Sequence, residues 1–378
     1  MSTSKSSRQT IPAQPNYGDS PWYGFNFQWI FREDHETPAA IAADQKALDA
    51  IADWGFNFVR VPADYRFWAS PETYKTQNDV GLELIDGYLE QCQERGLHMS
   101  LNLHRVPGYC INGQELERRN LWDDEVAQEG LYAMWRDFAE RYRDVPANAL
   151  SFDLINELPS VGDGGFTRDV HQHIIRRIAN DIRDISPDRV IVIDGLDGGN
   201  TAIPELADVS DVQSGRGYAP HGLSHFGADW WDIASGMEPS DDVRERLTSA
   251  REEWWQQQTG GIGPDYPGEF HGQWWDRDAL RDHYAQWEAV ERGGSRVHIG
   301  EMGCYRRLPN DTALRWMADT LEVFAEHRWG WALWNFEGPF GLVNTGRTGA
   351  HRAHRNGYDV DIEMLDLLIE RRVDGNND

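Results

Sequence analysis

Residues 149–185 read ALSFDLINELPSVGDGGFTRDVHQHIIRRIANDIRDI. The opening run, Ala149–Ile155, is short, apolar and bounded by polar residues, as expected of a strand buried on both faces. A loop carrying Gly162-Asp163-Gly164-Gly165 follows, and then the amphipathic segment Thr167–Ile185, which has helical periodicity. Strand, loop and helix in that order make one βα unit. The same alternation extends in both directions. Strands are expected at Tyr23–Trp29, Phe56–Val61, His98–His104, Ala149–Ile155, Arg189–Asp194, Asp211–Tyr218, Val297–Glu301 and Gly330–Trp334. Helices fit between and after them at Pro38–Asp53, Gly81–Arg95, Glu125–Arg143, Thr167–Ile185, Thr201–Ala207, Arg277–Glu291, Thr312–His327 and Asp359–Arg372. Pro38 stands where a first helical turn tolerates proline, and Pro187 where a helix has stopped. Eight βα units predict a (β/α)8 TIM barrel.

One connection is far longer than the rest. Between Tyr218 and Arg277 lie six tryptophans, a helical pattern near Asp241–Gln258 and a Gly/Pro-rich stretch at Thr259–Gly268. The barrel therefore has an elaborated sixth βα loop, on the rim where such enzymes build their sites. Residues 1–16 read as a disordered tail and residues 17–378 as one catalytic domain, because no repeat or linker divides them.

The chain has 378 residues and a formal charge of −27, from 63 acidic against 36 basic residues. So acidic a surface excludes nucleic acid and anionic membranes as partners, since it repels both. Two readings of the charge compete, a solubilising surface and adaptation to high salt. The scarcity of lysine (Lys5, Lys46 and Lys75) favours the second, because salt screens the self-repulsion. No apolar run is long enough to cross a membrane. The segment MSTSKSSRQTIPAQPNYGDSP lacks an apolar signal core, which predicts a cytoplasmic chain as it stands and a secreted one if a signal preceded it. Cys92, Cys110 and Cys304 are too few and too irregular for a disulfide framework and read as buried thiols. Seventeen tryptophans, several in pairs (Trp230 and Trp231, Trp254 and Trp255, Trp274 and Trp275), suit a cleft that stacks on the apolar faces of sugars.

The strand ends carry the chemistry. The second strand ends in Arg60, the third in His104 and the fourth in Asn156-Glu157. The sixth delivers Tyr218, the seventh Glu301 and the eighth Trp334. One polar strand end is an ordinary rim contact, but so many on one face are hard to explain as scaffold. Two carboxylates across a barrel mouth suit glycosidic bond cleavage, in which one gives a proton to the leaving oxygen and the other attacks the anomeric carbon.

These segments resemble known motifs. FDLINELP (152–159) resembles the strand-four signature of clan A glycosidases, and the whole barrel resembles glycoside hydrolase family 5, the cellulase family. The resemblance runs from about residue 22 to 372. It implies Glu157 as the acid/base and Asn156 as the partner that binds the substrate 2-hydroxyl. GFNFVRVP (55–62) resembles the strand-two motif and implies that Arg60 supports the nucleophile; LNLHRVPG (101–108) places His104 at the family's histidine. VHIGEMG (297–303) implies that Glu301 is the nucleophile, and WALWNFEGPFG (331–341) places Trp334 under the sugar being cleaved. The sixth strand departs from the pattern. Ser214-Gly215-Arg216-Gly217-Tyr218 keeps the tyrosine but puts Arg216 where the family has histidine, so an arginine is expected either to pair with Glu301 or to bind substrate. Arg105 likewise replaces a second histidine on the third strand.

The expected activity is hydrolysis of a β-linked glucan or oligosaccharide with retention, most simply β-1,4-glucan, by a cellulase-like O-glycosyl hydrolase. Exo-glucanase, β-mannanase and simple β-glycosidase activities are alternatives, and a non-catalytic carbohydrate-binding barrel is a remote one. No metal or organic cofactor is required, and the sequence leaves the oligomeric state open. His171, His173, His221 and His225 read as helix-surface or loop histidines, not metal ligands. The glycine loop at 162–165 lacks the following Lys-Ser/Thr of a phosphate cradle.

Overall fold

The computed structural model describes residues 20–31, 42–228 and 264–373. Eight parallel strands close a barrel, most of them with the short apolar core the sequence shows. They are β1 (Tyr23–Asn26), β2 (Phe58–Asp64), β3 (His98–Arg105), β4 (Leu150–Asp153), β5 (Val190–Asp194), β6 (Val212–Gly217), β9 (Arg296–Met302) and β10 (Gly330–Leu333). The order is β1-β10-β9-β6-β5-β4-β3-β2, closed by β2 against β1. Closure joins the two ends of the chain, with Tyr23 opposite Trp331 and Phe25 opposite Leu333. The TIM barrel expected from the βα rhythm is therefore present.

The helices form where a cap and an apolar stripe coincide. Thr167 Oγ1 accepts the Val170 N–H at the start of Arg168–Ile185, whose Ile174, Ile175, Ile178 and Ile182 are buried at helical spacing. Asp124 caps Glu125–Arg141 in the same way, accepting from Val126 and Ala127. Inside the lower barrel, Trp22, Phe58, Val190, Val192, Val212 and Ala332 form a separate apolar cluster. His98 stacks on Trp22, with ring centroids 4.3 Å apart and planes 19° apart. This plug makes the barrel a packed core and leaves only its upper mouth for chemistry.

Several expected elements differ. The last helix does not begin at Asp359: Tyr358–Asp361 is a strand (β12) paired antiparallel with Arg352–Arg355 (β11), and the helix is Ile362–Glu370. The period explains this, since Tyr358 and Val360 are buried and Asp359 between them is exposed, while Asp361 caps the helix through Met364 N–H. The segment expected as one helix over Arg277–Glu291 is broken into Arg277–Tyr284, a 3-10 turn Ala285–Trp287 and Glu288–Arg292. Thr201–Ala207 contains only the 3-10 turn Pro204–Leu206, led by its proline.

The long connection is only partly described. Trp230, Trp231, Trp254, Trp255 and the helical pattern near Asp241–Gln258 lie outside the described residues, as do the tail 1–16 and Pro38. What is described ends in a hairpin, Gly268–Phe270 (β7) against Gln273–Trp275 (β8), where the sequence suggested only a loop.

Candidate active site

Arg60 is not at the end of its strand. β2 runs on to Asp64, and Arg60 lies at its centre, buried among polar groups inside the barrel mouth. Its guanidinium is fully engaged. Nε donates to Asp153 Oδ2 at 2.7 Å, Nη1 to Asn26 Oδ1 at 3.1 Å and to Glu301 Oε1 at 2.7 Å, and Nη2 to Asn156 Oδ1 at 2.9 Å. Planar bidentate donors of this kind favour arginine over lysine at a buried carboxylate.

Glu301, near the end of β9, accepts one further hydrogen bond and makes one further ion pair. Tyr218 donates its hydroxyl to Oε2 at 3.1 Å, and Arg216 Nη2 lies 3.2 Å from Oε1. Glu157 follows β4 with φ of +42°, an uncommon conformation outside glycine. Its Oε1 accepts from Arg216 Nε at 2.8 Å, and its carbonyl accepts the Tyr109 hydroxyl at 2.5 Å. Burial, and next the charge of Glu301, push the Glu157 carboxyl up to about 7 against the opposing pull of Arg216.

Arg216 therefore does more than pair with Glu301: one guanidinium touches both carboxylates and also reaches Asn156 Oδ1 at 3.0 Å. Gly199 makes room for it. With φ of +84°, Gly199 sits where a Cβ would come within 2.5 Å of Arg216 Cγ. Asn156 accepts from both arginines through Oδ1, while its Nδ2 is buried with no protein partner and is left to donate to a bound hydroxyl. His104 donates from Nδ1 to Asn102 Oδ1 at 3.0 Å and stacks on Trp334, centroids 5.6 Å apart and planes 15° apart. Burial, then the neighbouring Arg60, Arg216 and Arg105, hold this imidazole well below its usual range, so it is neutral. Trp334 is half-buried beside Tyr218, Tyr305 and Phe340.

All eight residues singled out by the sequence thus meet at one mouth. Arg105 does not join them, because it turns to Asp64 and Glu117. Two buried acids were missed, Asp153 and Asp194. Asp194 closes a predicted strand, so the strand-end rule that selected Glu157 and Glu301 would have found it; Asp153 lies inside the predicted run Ala149–Ile155 and ends β4 only in the structure.

A cleft of about 840 Å3 opens from Glu157 and Tyr218. Its walls include Asn112, Asp197, His221, Phe270 and Trp275. Of the histidines read as helix-surface or loop residues, His173 is exposed on its helix and His221 and His225 lie half-buried just after β6, while the reading of His171 is corrected. His171 is buried against Phe166, and His221 and His225 stack on each other beside the cleft at 5.4 Å. Burial lowers His171 to about 3, His221 to about 4 and His225 to about 3, because apolar packing disfavours the cation. Among the described residues no group of three or more His, Cys, Asp or Glu side chains is arranged to hold a metal ion. Cys92, Cys110 and Cys304 are free and buried, as expected.

Residues 16–338 match the family model described as Cellulase (glycosyl hydrolase family 5). A solved structure described as a glycoside hydrolase is 46% identical, with a TM-score of 0.83, over 93% of this chain and 100% of that one. Endoglucanase C of Acetivibrio thermocellus is 25% identical over 337 residues, which is 87% of this chain and 91% of that protein. A mutant form of Thermotoga maritima Cel5A in complex with cellobiose is 21% identical with a TM-score of 0.69, over 94% of this chain and 99% of that one, and shares the fold.

Proposed function

Since the chain belongs to glycosyl hydrolase family 5, the cellulase family, we propose that it hydrolyses a β-1,4-linked glucan by double displacement with retention. Glu301 is the nucleophile and Glu157 the acid/base. The observation that carries this is the asymmetry of the two carboxyls. Glu301 receives only donors, from Arg60, Arg216 and Tyr218, an arrangement that suits an anion ready to attack. Glu157 receives one donor to its side chain, is raised to about 7, and opens onto the cleft. A carboxyl raised by burial, facing one held by cationic and hydroxyl donors, divides the roles of acid and nucleophile.

In the first step Glu157 gives its proton to the leaving oxygen while a Glu301 oxygen bonds to the anomeric carbon and the glycosidic bond breaks. In the second, Glu157 takes a proton from water, which attacks the glycosyl ester and frees Glu301. The Asn156 amide is available to the 2-hydroxyl, and Trp334 supplies an aromatic face for the sugar. The relatives support the substrate class, through the endoglucanase named above and the cellobiose bound to the Thermotoga enzyme. We further infer from the charge of −27 that the enzyme works in high salt.

Retention is tested by following the anomer first released from an aryl β-cellobioside. Glu157→Ala should cost roughly 100- to 10,000-fold with a poor leaving group and far less with an activated one, which needs little protonation. Glu301→Ala should abolish turnover of both. Release of the inverted anomer, or activity on β-mannan with none on β-glucan, would overturn the corresponding part of the reading.

A further inference from the structure

Asp194, the last residue of β5, is fully buried and touches neither side-chain oxygen of Glu157. It nonetheless holds that residue at two points. Its Oδ2 accepts the Glu157 backbone N–H at 2.9 Å. The same carboxylate grips Arg216, with Oδ1 accepting from Nη1 at 3.3 Å and Oδ2 from Nη2. Arg216 in turn donates from Nε to Glu157 Oε1 at 2.8 Å. One acid thus fixes both the main chain of Glu157 and the group that orients its carboxyl.

Both tethers answer a need. The positive φ of Glu157 costs energy that surrounding contacts must offset, and its two peptide groups are pinned by Asp194 on the N–H and Tyr109 on the carbonyl. The Arg216 guanidinium faces three carboxylates. With Asp194 on its Nη edge, it offers Glu157 a single N–H; Asp194 also lies 3.5 Å from Arg60 Nη2, so without it the two arginines would be balanced by Glu157, Glu301 and Asp153.

We propose that Asp194 is a positioning residue for glycoside cleavage: it pins the Glu157 backbone and occupies Arg216, so that the Glu157 carboxyl is aimed at the leaving oxygen. The proposal rests on Glu157 being the acid/base. Because the arginine cannot give up its proton, Asp194 takes on the task of keeping the Arg216 charge from being spent on Glu157.

The test is kcat/KM for Asp194→Asn across aryl β-cellobiosides from dinitrophenyl to unsubstituted phenyl, with a pH profile for each. A drop of roughly 10- to 100-fold is expected with the phenyl substrate and under about 3-fold with the dinitrophenyl one. The alkaline limb should move to lower pH, because freed Arg216 then favours ionised Glu157. Should Asp194→Asn fail to fold, Asp194→Glu keeps the charge but displaces the tethers. It should steepen the leaving-group dependence while leaving the limb in place. Equal loss across the series in a folded variant, with an unmoved limb, overturns the proposal. Glu157→Ala run alongside separates the two failures. If it too loses rate equally for all substrates, the acid/base assignment itself falls; if it is selective and the Asp194 variants are not, only the positioning role falls.

Discussion

Replacing His98 by Gln should remove a defined part of the protein's sensitivity to acid. His98 lies in the barrel floor, clustered with the rings of Trp22 and Phe58. Its Nδ1 faces the Asn148 carbonyl at 3.0 Å and its Nε2 the Ser151 hydroxyl at 2.9 Å. Burial first, then the charges of Arg296 and Arg189, lower it to about 4, outweighing the carbonyl bond that favours the cation. In the unfolded chain the same ring titrates near 6.5. A histidine held neutral in the fold stabilises it fully above the unfolded value, and the benefit is lost as pH falls through 6.5 towards 4. The lost stabilisation is about 2 kcal/mol at about pH 5 and about 3 kcal/mol once pH is well below 4. Urea unfolding at about pH 7.5 and about pH 5 measures this as a difference of differences. His98→Gln costs packing at both pH values, but parent and variant should approach each other by about 2 kcal/mol at the lower one. If the gap between them is the same at both, His98 is not the neutral buried group described here.

Three further outcomes are expected. The alkaline limb of kcat/KM should fall near pH 7, because Glu157, raised to about 7 by burial and by Glu301, must be protonated to act as acid; a limb well above pH 8 would contradict this. The melting temperature should rise between about 0.1 M and 1 M salt as the Debye length shrinks from about 10 Å to about 3 Å, and a flat or falling curve would refute high-salt adaptation. Trp275→Ala, at the cleft wall, should weaken longer oligosaccharides by about 1–3 kcal/mol, on the scale of aromatic stacking, and leave a small aryl glycoside almost unchanged; parallel loss on both would make the residue scaffold.

The barrel was legible because most of its strands are buried on both faces and so read as short apolar runs; β6, buried but carrying Gln213, Ser214 and Arg216, is the exception. The same rule located Glu157 and Glu301, whose charges interrupt those runs. Asp194 interrupts its run just as clearly, but nothing in the sequence says that its partner will be Arg216 on the next strand. The balance of the site depends on that pairing across strands, which sequence order hides. Asp359–Asp361 was misread for a different reason. Three residues are too few to separate a two-residue from a 3.6-residue period, and the helical pattern that follows dominates the window. His171 was misjudged because a histidine carries no mark of its burial: it is neutral in an apolar setting that only the tertiary structure creates.

The pairing of Tyr23 with Trp331 also constrains how the molecule is made. β1 has one barrel neighbour, β2, within reach early in synthesis, and its other neighbour lies about 300 residues downstream. Until that segment emerges, the growing sheet is an open ribbon with the unpaired backbone of β1 along one edge and that of its newest strand along the other. Exposed edges of this kind invite pairing with other chains. The mouth cannot assemble before closure either, because Arg60 and Glu301, which bond to each other, sit on β2 and β9. Closure of the barrel is therefore a late event that joins segments far apart in sequence, and chaperone demand should track the time between synthesis of β1 and of β10.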